Sequence, residues 1–465
     1  MRWFLVLLVV AGSALAEPMM VSTTGAAVAP ADTRIGAIAG EHTTLFIHDA
    51  DSCQVTTEAG MSARIWHIWY SNEEFAGSTA RRPSYLLPPE RWAQTRYFAV
   101  DLTPKRPGTH RAVLQAGSDQ ITITVEAIDR IGRGDVPMGW FFDPDRLARR
   151  ETEAALAHMA EHGATTFVIY AMDKDEFGRI VDWAVELGIF DGSQPAPCIF
   201  NPEIQTVEAR TKARFPDQWP RLYGYGWDEP GPEGVNRWHE WKLDAKWLGP
   251  SVTAMSPSVV YGAAGKIDWC LVKGRGWSRT LADFAGRHGM RLGTYDPYWQ
   301  PWDANLLRYH YGIWAFKHRP QGMYQWAYAH TASSRVTDDW QFDQVRALHA
   351  FALSTRDGPM SSLGLKGFHE GTIDYRILAQ LESDLMQHHQ RIGGGVASGM
   401  ARWLQCLRDH CGRLSWIGRI PDDADPFDTG GYAREVNWTD RDAIRVRAIE
   451  CLRTLRAQPS DGLTK

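Results

Sequence analysis

The chain has 465 residues, of which 44% are hydrophobic and 23% are charged, and its formal net charge is −5. This length predicts two or three domains, since domains usually hold about 100–200 residues. The slight negative charge and the lack of a Lys/Arg run argue against nucleic acid or an anionic membrane surface as a partner. The 21 Trp residues are an unusually high number. Flat indole faces suit sugar rings, which favours a carbohydrate site, although Trp also fills large cores.

Residues 1–16 are predicted to be a secretory signal peptide. Arg2 precedes an apolar run over residues 3–10, and Ala14-Leu15-Ala16 has the small-residue pattern of a cleavage site. The run is too short to cross a bilayer, and no later stretch of about 18 apolar residues follows it. We therefore expect an exported protein, secreted or periplasmic, with no membrane insertion after the signal is cleaved.

Short alternating segments between turn residues predict a β-sandwich accessory domain over residues 33–130. Apolar and polar residues alternate within each segment, and Pro107-Gly108 is one of the turns between them. The predicted strands are 43–47, 64–70, 97–100, 110–114 and 121–125.

Strand and helix patterns alternate over residues 135–390, which predicts a parallel sheet and an α/β fold class. A helix is expected over residues 147–162 after the first strand. Eight strands separated by helices favour a (β/α)8 TIM-type catalytic barrel, and no GxGxxG motif supports a dinucleotide cofactor. The predicted strands are 138–142, 164–170, 196–200, 221–227, 251–255, 267–272, 291–295 and 322–328.

Helical spacing continues from about residue 370 to residue 390, and residues 391–458 are predicted to form C-terminal helices that pack on the barrel. Cys406, Cys411 and Cys451 lie in this region, where a disulfide is plausible after export. Cys198 and Cys270 lie in apolar strands and are expected to be buried thiols. The sequence contains no CxxC or HExxH motif, so neither a metal nor a cofactor is expected.

The fourth predicted strand ends on Asp228, Glu229 and Pro230. Proline cannot donate to a strand ladder, so both acids are expected in a loop at the carboxyl end of the strand, where barrel active sites lie. Glu229 is the candidate general acid/base, and Asp228 is its candidate partner. The alternative is an acidic pair that only caps the following helix.

Other strand ends supply candidate substrate-binding residues: Tyr170, Asn201, Tyr295, Tyr298, Trp299 and Trp326. Carboxyl groups beside several aromatic rings are typical of glycosidases. Consecutive strand residues point to opposite faces, so two adjacent acids are poorly placed to act on one anomeric carbon from both sides. We therefore expect Glu229, with a raised pKa, to protonate the leaving oxygen, while Asp228 holds a substrate 2-acetamido nitrogen.

Residues 356–378 resemble the carboxy-terminal signature of glycoside hydrolase family 123. The matching positions are Asp357-Gly358-Pro359, Glu370-Gly371 and Asp374-Tyr375, whereas Gly364 and His369 stand where that signature usually has Arg. The resemblance implies a β-N-acetylgalactosaminidase with a β-sandwich before a (β/α)8 barrel. It also implies substrate-assisted catalysis by an adjacent Asp-Glu pair, which maps onto Asp228 and Glu229. Glu370, Asp374 and Tyr375 are expected to tie their helix to the barrel.

Two other functions remain open at this stage. Asp228-Glu229-Pro230 also resembles the Asn-Glu-Pro that ends strand four of many retaining glycosidases, in which case Asp296 would be the nucleophile. The other alternative is a non-catalytic carbohydrate-binding barrel. The expected partner is a glycan or glycoconjugate in each case, and the sequence predicts no oligomeric state.

Overall fold

A computed structural model describes most of the chain. The described residues are 19–21, 33–48, 50–75, 78–87, 97–142, 149–169, 174–191, 195–199, 204–218, 221–244, 249–295, 304–328, 351–355, 358–392, 395–414 and 440–457. The predicted signal peptide lies outside these residues, and the predicted domain boundaries stay predictions.

The first part of the chain forms two β-sheets, one of them antiparallel throughout. One sheet has five strands in the order β1-β3-β7-β5-β6, and the other has four in the order β2-β9-β8-β4, in which only β2 and β9 are parallel. Their apolar faces form one core, since alternate residues of β8 such as Ala112 and Leu114 are buried. The strands are β1 (Met19–Val21), β2 (Thr33–Ile38), β3 (Thr43–His48), β4 (Cys53–Thr57), β5 (Met61–Phe75), β6 (Ser78–Leu87), β7 (Phe98–Pro104), β8 (Gly108–Ala116) and β9 (Asp119–Ile128). The predicted sandwich-like arrangement is confirmed.

The second part of the chain forms a parallel sheet whose strands follow one another in chain order. Seven strands make a curled half-barrel, and the short eighth strand pairs with β16 on one side and with β10 on the other. Neighbouring strands pair over different lengths. The shortest case is β11 with β12, which pair only through Ile169 and Cys198. The strands are β10 (Met138–Phe142), β11 (Thr166–Ile169), β12 (Pro195–Ile199), β13 (Arg221–Tyr225), β14 (Ser251–Met255), β15 (Trp269–Lys273), β16 (Arg291–Tyr295) and β17 (Met323–Gln325).

Helices separate these strands, as the alternating sequence pattern predicts. They are α1 (Arg149–Glu161), α2 (Lys174–Glu186), α3 (Ile204–Arg214), α4 (Pro232–Asp244), α5 (Pro257–Val260), α6 (Arg279–Arg287), α7 (Ala304–Tyr309) and α8 (Ala315–His318). A π-helical turn, His310–Trp314, joins α7 to α8. The predicted mixed α/β class with a parallel sheet is therefore confirmed.

After the parallel sheet come a β-hairpin and three longer helices. The hairpin is β18 (Ala352–Thr355) and β19 (Gly358–Ser361), and the helices are α9 (Leu363–Ile392), α10 (Gly395–Leu414) and α11 (Asp440–Ala457). Helix α9 begins seven residues before the predicted start, and Gly367 in this added part lets it cross α7 closely. A Cβ on Gly367 would lie 2.1 Å from the Ala304 carbonyl oxygen.

A buried network of ion pairs holds α9 in place. Asp374 accepts hydrogen bonds from Arg308 of α7, with Nε at 2.6 Å, which confirms that it ties α9 to the barrel helices. Glu370 instead accepts from the Thr44 backbone N–H at 2.7 Å, so it ties α9 to the sandwich. Arg445 of α11 bonds to both carboxylates. Tyr375 donates to Asp135, just before β10.

The cysteines differ in part from the expectation. Cys406 and Cys451 are free thiols, so the plausible disulfide of the C-terminal region does not involve either of them. Cys270 is free and buried, as predicted, and burial raises the pKa of its thiol to about 12. Across the described part of the chain, no helix has the length and apolar character needed to cross a membrane.

Candidate active site

The two candidate acids lie in a loop between β13 and α4, over residues 226–231, called here the acid loop. Strand β13 ends at Tyr225, two residues earlier than predicted, because the chain turns away after Gly226. A Cβ on Gly226 would lie 2.7 Å from the Trp238 ring, so only glycine fits this turn. The loop lies at the carboxyl end of a parallel strand, where the active sites of barrel enzymes are found.

Hydrogen bonds to the neighbouring strand β14 hold the acid loop in place. The Gly226 N–H donates to the Val252 carbonyl at 2.9 Å, and the Glu229 N–H donates to the Ala254 carbonyl at 3.0 Å. The Thr253 hydroxyl donates to the Trp227 carbonyl at 3.1 Å. The acids therefore stand on a fixed backbone, which a preorganised catalytic site requires.

The rule that consecutive strand residues point to opposite faces does not apply to the two acids. Both lie beyond the strand end, and Glu229 has a φ of 46°, a left-handed conformation that is uncommon for residues other than glycine. The Tyr225 hydroxyl donates a hydrogen bond to Asp228 Oδ1 at 2.6 Å, and the Tyr295 hydroxyl donates one to Glu229 Oε1. The bend thus brings both carboxyl groups to the tyrosines at the mouth of the barrel.

Both tyrosines are fixed by packing inside the barrel. Tyr225 and Tyr295 are 2% and 5% exposed and belong to one buried cluster with Phe141 and Tyr324. The Phe141 ring centroid lies 6.0 Å from that of Tyr225 and 6.2 Å from that of Tyr295. Because their rings are held on several sides, their hydroxyl groups fix the positions of the two carboxyl groups.

Lys273 adds a positive charge to the site from the end of β15. Its Nζ lies 3.1 Å from Glu229 Oε1, the same oxygen that accepts from Tyr295. Both side chains keep solvent access, at 44% for Lys273 and 50% for Glu229. The lysine therefore acts on Glu229 through a partly screened charge as well as a hydrogen bond.

The pKa values of the two acids shift in opposite directions. The hydrogen bond from Tyr295, followed by the contact with Lys273, lowers the pKa of Glu229. The surrounding atoms raise the pKa of Asp228 by desolvation, although the residue keeps solvent access, and the nearby Glu229 charge adds to this. The expected raised pKa of Glu229 is therefore wrong for the ligand-free site, because its hydrogen-bond donors outweigh its partial burial.

Two tryptophans lie near the acids. Trp326 follows β17 and is half-buried, with its ring centroid 5.2 Å from that of Phe141, so the structure brings this predicted residue to the barrel mouth. Trp227, directly before Asp228, is 49% exposed and offers an open aromatic surface. Exposed aromatic faces beside paired acids suit the apolar face of a sugar ring.

The sequence prediction identifies part of this site. Tyr295 and Trp326 lie at the mouth with Asp228 and Glu229, whereas Tyr170, Asn201, Tyr298, Trp299 and the alternative nucleophile Asp296 lie outside the described residues. Tyr225 and Trp227 were missed as site residues, and Lys273 was predicted to lie at a strand end but was given no role. Their positions in the sequence could have identified them, since Trp227 directly precedes the acids and Lys273 ends another strand of the same sheet.

Comparison with known proteins gives only distant likenesses. No protein-family model and no curated protein matches the sequence, so the resemblance to glycoside hydrolase family 123 remains a prediction. Solved structures that are similar include a family 39 glycoside hydrolase from Bacteroides cellulosilyticus WH2, at 10% identity and a TM-score of 0.35 over 74% of this chain and 82% of that one. An FMN-binding β-glucuronidase from Facaelibacterium prausnitzii L2-6 is 13% identical, with a TM-score of 0.32 over 75% and 60% of the two chains.

A fragment of the S-layer protein SbsC, domains 4 and 5, is also similar in part. It is 10% identical, with a TM-score of 0.15, and the match covers 24% of this chain and 54% of the fragment. All three TM-scores lie below 0.5, so these likenesses carry no argument about activity. The functional conclusion rests on the site.

The described residues contain no group of three or more His, Cys, Asp or Glu side chains arranged to hold a metal ion. The chemistry that the described site offers is proton transfer and hydrogen bonding by two carboxyl groups, two phenols and one ammonium group.

Proposed function

We propose that the protein is an exported glycoside hydrolase with a TIM-type catalytic barrel. Its substrate would carry a terminal β-linked N-acetylhexosamine, with N-acetylgalactosamine favoured, and the reaction would be substrate-assisted with retention of configuration. The observation that carries the proposal is the convergence of Asp228 and Glu229 on Tyr225 and Tyr295 at the barrel mouth. The expectation of an N-acetylgalactosamine substrate comes from the resemblance to family 123.

In the proposed reaction, Glu229 gives its proton to the glycosidic oxygen while the substrate acetamido oxygen attacks the anomeric carbon. The leaving group departs, and a cyclic oxazolinium forms on the sugar. Asp228 accepts a hydrogen bond from the acetamido N–H and stabilises the positive charge that develops on the acetamido group. Glu229 then removes a proton from water, which opens the ring and releases the sugar with its original configuration.

Substrate binding supplies the change in protonation that this reaction needs. A bound sugar would displace water from the half-exposed Glu229 and so raise its pKa. The acetamido N–H would in turn favour the ionised form of Asp228, which Tyr225 already supports by its hydrogen bond. Substrate binding would therefore oppose both shifts, raising the pKa of Glu229 and lowering that of Asp228.

A second mechanism has one observation in its favour. Tyr295 at the end of β16 bonds to Glu229 at the end of β13, so these two strand ends meet in one site. Asp296 follows Tyr295 in sequence, and a retaining enzyme could use it as a nucleophile with Glu229 as acid/base.

Hydrolysis of chromogenic β-glycosides tests the proposal. The 4-nitrophenyl glycosides of N-acetylgalactosamine, N-acetylglucosamine and galactose are compared with wild-type protein and with Asp228→Asn and Glu229→Gln. Glu233→Gln is the matched control, because Glu233 lies on α4 near the acid loop and its side chain is 91% exposed.

Cleavage of an acetamido sugar but not of the galactoside, lost in Asp228→Asn and kept in Glu233→Gln, would support substrate assistance. Equal cleavage of the galactoside would contradict it and favour Asp296 as nucleophile. Binding of the sugar without hydrolysis of any substrate would indicate a non-catalytic carbohydrate-binding protein.

A further inference from the structure

A second cavity lies between the sandwich and the barrel helices, far from the acid loop. Its volume is about 390 Å³, and its lining comes from β5, β6, α1, the β18–β19 hairpin and α9. Helix α1 runs back from the carboxyl ends of the strands, and its last turn, which lines the cavity, precedes β11 at Thr166. This interdomain cavity therefore lies toward the opposite end of the barrel from Asp228 and Glu229.

Two cationic side chains line the interdomain cavity. The Arg64 guanidinium carbon lies 3.7 Å from the centroid of the Trp66 ring, which holds this otherwise exposed side chain over the aromatic face. Lys366 has only 2% of its side chain exposed. A buried ammonium group at a cavity wall requires acceptors on its three N–H groups, which makes the site selective for anions or other acceptors.

Lys366 bonds to two side chains of the sandwich. Its Nζ donates to Asp101 Oδ2 at 2.8 Å and to His42 Nε2 at 3.0 Å, which occupies two of three donors. Asp101 also accepts from Thr44 at 2.6 Å and from the Trp66 indole at 2.7 Å, so its negative charge is shared among three donors. A ligand oxygen would be the natural third acceptor for Lys366.

The histidines at the cavity provide neutral hydrogen-bonding groups. His158 bonds through Nε2 to the Ser361 hydroxyl at 2.8 Å, and His162 Nε2 lies 3.2 Å from the same oxygen. Burial, together with the charges of Lys366 and Arg64, lowers the pKa of His158 to about 3. Arg64 and Lys366 are the cations of the cavity lining and Glu161 is its acidic residue, while Asp101 pairs with Lys366 from behind the wall.

The remaining lining gives the cavity an apolar wall beside these polar groups. Leu86, Pro359 and Met360 supply that wall, while Thr355 and Ser361 supply hydroxyl groups. The volume falls within the range of about 300–1,000 Å³ that small-molecule sites have. We propose that the interdomain cavity binds a monosaccharide that carries an oxyanion, its charge held between Arg64 and Lys366. The oxyanion is a carboxylate in a sugar acid or a sulfate ester in a sulfated sugar.

Isothermal titration calorimetry on the full chain tests this site. The ligands are D-glucuronate, glucose 6-sulfate, neutral glucose and inorganic sulfate, which separate the two oxyanions from the sugar ring and from the bare ion. Arg64→Gln removes the accessible cation, and Glu161→Gln removes the acidic residue of the lining. Arg111→Gln is the matched control, because Arg111 is exposed on β8 of the other sheet and carries the same charge.

At least one of the two charged sugars is expected to bind more tightly than glucose and than sulfate. Arg64→Gln should weaken that binding about tenfold or more, as expected for the loss of one charge-assisted hydrogen bond. Glu161→Gln should tighten it, and Arg111→Gln should leave it unchanged. Thermal unfolding of each variant checks that the fold is intact, and the opposite signs for Arg64 and Glu161 cannot arise from a loss of folded protein.

Three results would overturn the proposal. The first is no heat with either charged sugar, and the second is binding of glucose or of inorganic sulfate as tight as that of the charged sugars. The third is binding that Arg64→Gln leaves unchanged, since the sugar would then occupy another site such as the barrel mouth.

Discussion

Replacement of Lys273 by methionine should make the proposed enzyme faster above neutral pH. Lys273 Nζ lies 3.1 Å from Glu229 Oε1, and both side chains are about half exposed. With the dielectric constant of water, a charge pair at this distance is worth about 1.3 kcal/mol. Because this charge helps to lower the pKa of Glu229, Lys273→Met should raise it.

The effect on rate follows from the proposed role of Glu229 as general acid. At a pH well above the pKa values of both carboxyl groups, kcat/KM is proportional to the fraction of Glu229 that is still protonated. Lys273→Met should then increase kcat/KM about three- to tenfold. The lower figure allows for the slower proton donation by a carboxyl group whose pKa is higher. The increase should shrink at about 1 M salt, because salt screens the charge in the wild-type protein.

A stopped assay of kcat/KM across the pH range measures this effect. Lys273→Arg should keep the wild-type profile, and Lys266→Met, which changes a partly exposed lysine on the α5–β15 segment, is the matched control. An unchanged or lower kcat/KM on the basic side would refute the assignment of Glu229 as the acid. A change in kcat/KM confined to the acidic side of the pH profile would show that Glu229 acts in its ionised form.

Three further substitutions test other parts of the structure. Tyr225→Phe removes the donor to Asp228, so kcat/KM for an acetamido substrate should fall about 10- to 100-fold and the pKa of Asp228 should rise, as its pH profile would show. Trp227→Ala should raise KM about two- to tenfold with little change in kcat, if the exposed ring only contacts the sugar. Arg445→Met removes the charged partner of buried Glu370 and one of the two arginines that bond to Asp374, and should lower the free energy of unfolding by about 3–5 kcal/mol. Arg447→Met, on the exposed face of α11, should change it by less than about 0.5 kcal/mol in the same denaturation assay. Equal losses in the two arginine variants would contradict a role for the buried network.

The sequence predicts the parallel strands well where local pattern and packing agree. The bounds of β10, β14 and β16 match the prediction, and each of these strands is buried along all or nearly all of its length. Strand β17 is shorter than predicted, because after Gln325 the chain leaves the sheet. The Tyr328 N–H bonds to the Phe141 carbonyl at 3.0 Å instead.

The geometry of the site depends on contacts between residues far apart in sequence. The strand rule placed Asp228 and Glu229 on opposite faces, but the turn at Gly226 is set by the Trp238 ring, which no local pattern reveals. The lowered pKa of Glu229 arises from Tyr295 and Lys273, which come from two other strands. Sequence identified the chemical groups, and only the fold determined which of them meet.

The contacts of helix α11 have a consequence for the order in which the chain can reach its native state. Arg445 donates to the Gly36 carbonyl of β2 at 3.0 Å, and Arg453 pairs with Glu126 of β9. A Cβ on Gly36 would lie 2.6 Å from the Arg445 side chain, so strand and helix are fitted to each other. The sandwich leaves the ribosome first, yet one of its sheets lacks its packing partner until residues 440–457 have been made. Its final consolidation therefore waits until α11 has been made, and a fragment that ends before α11 leaves this side of the sheet uncovered.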